Sequence, residues 1–324
     1  MEPMTNTIAY WAPLERAFER MKRQLFEPFD FMKWLVLGFA AWLAGLGSGP
    51  GGGGSNFSGN PTDIGDAIGD AASSAVHSVL AISVAAFVGL AVLLLVAVVL
   101  WLSSRGKFIF LDNVVHNQAE IVAPWKRFRK LGDSLFLWRL AFVVVVIVVV
   151  VAGVLLPAIP AALMSGGSLQ DLSLFAISTW GVFFGLIVAA VVLMSLYVSL
   201  FLDSFIVPIM YRFNLTAVEA WRHLVPWLRA RPGHFTLYGL FVLLLTIVYG
   251  ILSVLVCLLT CCIAALPYIG TVILLPIWVA YRCFSLEWLT QFDPEFDVFA
   301  PLPGRALAAE TVIEEGAEAE ISDE

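Results

Sequence analysis

Long charge-free apolar runs dominate this chain. Residues 71–104, 140–170 and 172–202 contain no Asp, Glu, Lys or Arg, and each exceeds the roughly 20 residues that a helix needs to cross a bilayer. A fourth run, 235–281, is too long for one helix. The segment ALPYIG at 265–270 supplies the Pro and Gly that divide it into a hairpin. A shorter run, KWLVLGFAAWLAGLG at 33–47, ends in the stretch GSGPGGGGS.

The basic residues decide whether that short run crosses. All 18 Lys and Arg fall in four groups: 16–33, 105–139, 212–231, and Arg282 with Arg305. The connections 48–77, 157–173 and 264–270 contain none. Since Lys and Arg are retained on the cytoplasmic side, this alternation predicts six crossings with both termini inside. The expected spans lie near 33–47, 78–102, 138–160, 175–202, 235–263 and 269–288, with Lys33 snorkelling to the interface. A cleaved signal peptide is not expected, because the preceding 33 residues are mixed in charge and amphipathic.

Composition agrees with a membrane class. The 324 residues are 60% hydrophobic and 13% charged, against about 25% charged in soluble domains. The net charge of −7 is unevenly spread. Residues 293–324 hold ten acidic residues and one Arg, a net −9, which leaves +2 for residues 1–292. The end, EEGAEAEISDE, reads as a solvated, disordered cytoplasmic tail. The fold class predicted is therefore all-α: a membrane domain over 1–292 followed by the tail.

Three segments are alike: AFERMKRQLFEPFDFMKWLVLGF at 17–39, APWKRFRKLGDSLFLWRLAFVV at 123–144, and AWRHLVPWLRARPGHFTLYGLFVLL at 220–244. Each reads as a basic amphipathic helix, a Pro or Gly break and then a span. In the first, Phe18, Met21, Leu25 and Phe29 form an apolar stripe, with Arg16, Arg20 and Arg23 on the other side. Such helices lie in the headgroup plane. Every second span also ends on Leu and an acid: Leu111-Asp112, Leu202-Asp203 and Leu286-Glu287. The chain thus reads as three parallel pseudo-repeats of interfacial helix, span out, loop and span back.

Two sets of residues carry candidate chemistry. Asp112, Asp203 and Glu287 form either a carboxylate ring at the inner mouth of a pathway or caps and ion-pair partners of neighbouring helices. Lys126, Arg127, Arg129 and Lys130, with Arg222, Arg229 and Arg231, either attract anionic lipid or a cytoplasmic protein partner, or serve only as topogenic anchors.

Enzyme chemistry finds little support. The four histidines, His77, His116, His223 and His234, share no metal-ligand spacing, and no nucleophile, base and orienter can be assembled. Cys257 and Cys261 share a helix face but lack further ligands, so these cysteines, with Cys262, read as small core residues. Asp63, Asp66 and Asp70 are a weak cation motif, and Asn56-Phe57-Ser58 is a bare sequon. Ionisable groups are expected near the inner interface, Arg139 and Asp203 among them, and not at span centres. No cofactor, metal or nucleic-acid partner is expected, and no oligomer is required.

The blocks LFEPFDFMKWLVLGFAAWLAGLG (25–47), DSFIVPIMY (203–211) and LPYIGTVILLPIWVAYRCFSLEWLTQF (266–292) resemble an uncharacterised family of bacterial polytopic membrane proteins. More distantly, the hairpin units are similar to the membrane domain attached to some glycerophosphodiester phosphodiesterases. The nearer resemblance implies a multi-span fold in the bacterial inner membrane, and the distant one implies nearness to lipid metabolism. The expected role is a non-enzymatic scaffold or accessory subunit, with a transporter or lipid-translocating pathway as the alternative.

Overall fold

The computed structural model describes residues 10–46, 79–164, 174–260, 263 and 266–299. The Gly-rich loop with Asp63, Asp66 and Asp70, the sequon, Cys261, Cys262 and the tail from residue 300 lie outside the described residues. Among the described residues the regular structure is wholly helical. The elements are α1 (Trp11–Phe26), α2 (Phe31–Gly45), α3 (Val79–His116), α4 (Val122–Arg127), α5 (Arg129–Met164), α6 (Leu174–Phe201), a π turn (Leu202–Ile206), α7 (Val207–Phe213), α8 (Ala217–Ala230), α9 (Pro232–Leu259), α10 (Pro267–Ile273) and α11 (Leu275–Leu289).

Among the described residues four segments are long and apolar enough to span a membrane: Ala86–His116, Arg129–Gly153, Val182–Phe213 and Pro232–Leu259. Their middles expose apolar side chains, such as Leu93, Val145, Leu193 and Leu244. Exposure on that scale is what hydrocarbon covers. The protein is thus a membrane protein with at least these four candidate spans. α2, at 15 residues, is about 22 Å long, short of the ~30 Å hydrocarbon core. The last hairpin arm is interrupted at Leu274, just before Pro276, which separates α10 from α11.

The long helices outrun the bilayer. The 38 residues of α3 extend about 57 Å, and the excess at its C-terminal end enters the buried core. Phe108, Ile109, Leu111 and Val114 pack there with Phe201, Phe205, Ile206, Tyr238, Phe284 and Trp288. The core therefore sits at the basic end of the bundle, while the apolar middles remain open. Local signals set the ends: Asn117 and Asn214 adopt left-handed backbone, φ 54° and 52°, after α3 and α7, a conformation that Asn tolerates well.

The basic helices pack more than the sequence implies. On α1 the buried positions are Pro13, Ala17, Met21 and Leu25, a strict four-residue spacing, whereas Phe18 and Phe29 are exposed. The stripe predicted from Phe18 and Phe29 is corrected accordingly. The cause is α11, which lies against α1 and draws Arg16 and Arg20 inward to Glu287. α4 is a single short helix of six residues, and Arg129 already begins the long α5.

α2 wedges between α3 and α10. Its Trp34 indole donates to the Val272 carbonyl at 2.8 Å, and the Tyr268 hydroxyl donates to the Leu35 carbonyl at 3.0 Å. On its other side Gly106 of α3 lies so close that a Cβ there would sit 2.7 Å from the Ala44 nitrogen and the Leu43 carbonyl carbon. Only a glycine admits that approach.

Candidate functional site

The candidate site grows from one irregularity in a helix. In the π turn the Val207 N–H is given to the Leu202 carbonyl, five residues back. Residue 208, which would next serve Asp203 in that register, is a proline and has no N–H. The Asp203 carbonyl is thereby released from the backbone ladder, and the Arg282 guanidinium of α11 donates to it through Nη1. The Asp203 carboxylate meanwhile accepts from Lys107 Nζ of α3. One residue thus joins three elements, through two different oxygens and to two different cations. Turns of this kind recur at functional sites.

A third cation stands nearby. Arg139 of α5 donates from Nη1 to Ser103 Oγ at 3.2 Å and to Ser104 Oγ at 3.3 Å. The two serines donate onward to the carbonyls of Ala44 and Leu100. Lys107 lies within Coulombic range of Asp203, Arg139 and Arg282. Lys107, Arg139 and Arg282 are each less than a tenth exposed, while the Asp203 side chain keeps 25% exposure. The site is therefore buried on its cationic side and open at its carboxylate. Ser204 and Tyr281 share a hydrogen bond of 3.3 Å, and Tyr281 and Tyr238 both lie within Coulombic range of Arg282.

The other two acids have separate partners. Glu287 accepts from Arg16 Nε at 2.9 Å and Arg20 Nε at 2.6 Å, clamping α1 onto α11. Asp112 accepts from the Tyr211 hydroxyl at 2.6 Å and stands 3.2 Å from the His116 ring. Among these contacts no two of the three carboxylates share a partner, so they act as three separate ties between helices.

The predicted basic residues are elsewhere. Lys126, Arg127, Arg129 and Lys130 are exposed where α4 meets α5, and Arg222 and Arg229 are exposed on α8, with Arg231 half-buried. Arg105 instead turns inward, pairing with Asp133 at 2.8 Å and lying over the Trp101 ring. At the start of α8 a capping box closes between Thr216 and Glu219. The Thr216 backbone N–H, then its hydroxyl, hold the Glu219 carboxyl below its ordinary range.

Sequence reasoning missed Lys107, Arg139 and Arg282 as one centre. A signal was present: Lys107 and Arg282 each stand five residues before the acid of a Leu-acid pair, Asp112 and Glu287, while the middle unit has Val198 there. Aligning the units on their acids would have singled out the two cations.

No curated protein and no solved structure matches this chain. One family model does, over residues 11–290, which takes in every helix described above and all three acids. The chain therefore belongs to a family of unknown function, DUF7544.

Proposed function

We propose that this is a six-crossing inner-membrane protein with both termini cytoplasmic, acting as a non-enzymatic scaffold whose basic helices hold an anionic lipid surface. Two crossings beyond the four long helices are assigned to α2 and to α10 with α11. The last two together run from Pro267 to Leu289, about 33 Å of helix. Support for α2 comes from the absence of Lys and Arg between 48 and 77. The test of topology is membrane-impermeant thiol labelling in a cysteine-free background, with Ser55→Cys and Ser168→Cys labelled from outside and Asn117→Cys from inside. Labelling of Ser55→Cys from the inside removes the first crossing.

The observation that carries the lipid role is the exposure of Lys126, Arg127, Arg129 and Lys130 beside the exposed apolar flanks of α3 and α5. Four basic residues at a membrane surface attract anionic lipid at about 1 kcal/mol each. Replacing all four by Gln is expected to abolish enrichment of phosphatidylglycerol around the protein in mixed-lipid nanodiscs, with topology retained. Unchanged enrichment would remove the lipid role and leave a cytoplasmic protein partner to be sought by native mass spectrometry.

A second reading, transport through the bundle, is favoured by one observation: a buried ionisable centre seated on a π turn. Flux in proteoliposomes that survives simultaneous neutralisation of Asp112, Asp203 and Glu287 would dismiss it.

A further inference from the structure

We infer that one flank of α1 and the turn into α2, carrying Trp11, Phe18, Phe26, Phe29, Phe31 and Met32, lie in the interfacial layer of the cytoplasmic leaflet as an aromatic membrane anchor. The inference rests on the membrane reading above, but not on the lysines and arginines of α4, α5 and α8. All six side chains are between 46% and 73% exposed. Apolar residues exposed singly are ordinary, whereas six within 22 residues form a face that something must cover.

The seating of α1 separates this face from the rest of the helix. Its buried stripe, Pro13, Ala17, Met21 and Leu25, is taken up by packing against α11. At about 100° per residue, Arg16 and Arg20 fall on one side of that stripe, where they hold Glu287. Trp11 and Phe18 fall on the other side, close to half a turn from the two arginines. Aromatics on one side and half-exposed arginines on the other is the pattern of a helix lying in a membrane interface. The aromatic side continues into the turn, where Phe26 and Phe29 each pack on Trp34 of α2 with ring centroids 5.3 Å apart.

What covers the face follows from its neighbour. Trp34 donates to the Val272 carbonyl and Tyr268 to that of Leu35, which sets α10 beside the start of α2. α10 exposes Ile269 and Ile273, and the chain before it exposes Ile263 and Leu266. These residues follow Leu258 and Leu259, the exposed end of the spanning segment Pro232–Leu259. Exposed apolar positions thus follow the chain from a spanning helix, along α10, to the start of α2. A surface of that kind is covered by lipid, and aromatic side chains collect where lipid meets water.

The test uses the full chain in a cysteine-free background, in nanodiscs of phosphatidylethanolamine and phosphatidylglycerol. Single cysteines at Phe18→Cys, Phe29→Cys, Arg23→Cys and Leu244→Cys carry an environment-sensitive fluorophore. Quenching by a nitroxide on the lipid acyl chain is compared with quenching by iodide in the water. Labels at 18 and 29 are expected to be quenched by the lipid nitroxide and to lose iodide quenching, whereas the label at 23 responds to iodide. If the label at 244 responds to the lipid nitroxide while those at 18 and 29 respond to iodide as 23 does, the anchor alone is overturned. Labels at 18 and 29 shielded from both quenchers would show that protein covers the face, and would overturn it equally. A label at 244 that the lipid nitroxide does not reach removes the membrane reading and the inference with it.

Discussion

Replacing Gly106 by Ala tests how closely α2 and α3 meet. The added methyl would lie 2.7 Å from backbone atoms of Leu43 and Ala44, and 2.8 Å from Leu43 Cγ. Ordinary carbon contacts begin near 3.5 Å, so the helices must part by about 0.8 Å. The backbone of α2 cannot yield as a side-chain tip would, and Trp34 and Tyr268 tie it to α10 behind. Overpacking of this kind costs about 1–3 kcal/mol. Against it, alanine recovers up to about 1 kcal/mol of helix propensity. The expected net is a loss of about 1–2 kcal/mol, read as a lower Tm by tryptophan fluorescence in detergent. Gly89→Ala on the same helix is the control, since no atom lies within 4 Å of its new methyl. It is expected to be neutral or mildly stabilising. If Gly106→Ala instead stabilises as Gly89→Ala does, α2 is not packed against α3 and the wedge between α3 and α10 is wrong.

Glu287→Gln removes the carboxylate that holds Arg16 and Arg20; the Glu287 side chain is 8% exposed, and a loss of about 1–3 kcal/mol is expected. Hydrogen exchange is expected to speed selectively over residues 11–26, and unchanged exchange there would show that α1 is held by its apolar stripe alone. Thr216→Ala is expected to cost about 1 kcal/mol locally, seen as faster exchange at the start of α8, with Thr216→Ser restoring the protection. The same cap sets a pH dependence. Because Glu219 is held below its ordinary value of 4.5 in the folded state, its contribution is complete above that value and fades as pH falls through the lower, folded one. Fraying of residues 217–220 is therefore expected in acid but not at neutral pH, and fraying that instead grows with rising pH would contradict the assignment.

Much of the architecture is legible in the sequence. The charge-free runs identify α3, α5, α6 and α9 because no arrangement in water could bury so many consecutive apolar residues, and the family model confirms a family of unknown function over residues 11–290. The individual acids were also legible, as Leu-acid pairs recurring along the chain. Their roles were not. Whether Glu287 lines a mouth or holds a helix depends on where α1 lies, and α1 is more than 260 residues away in sequence. The face of α1 was misjudged for the same reason. Periodicity finds an apolar stripe, but the helix rotates to satisfy the residue types of its neighbour.

The sequence by itself determined the helical membrane class and the segregation of basic residues to one end, because these depend on local composition and on the solvent each segment meets. It also contained Pro208, whose missing N–H interrupts any helix that includes it. Only the tertiary structure decided what the interruption is used for. The freed Asp203 carbonyl meets Arg282, its carboxylate meets Lys107, and Gly106 admits α2 to within backbone contact. Those outcomes depend on distances between helices far apart in the chain, where the energies of burying charge and of excluding overlap change steeply over an ångström, and no single segment carries that information.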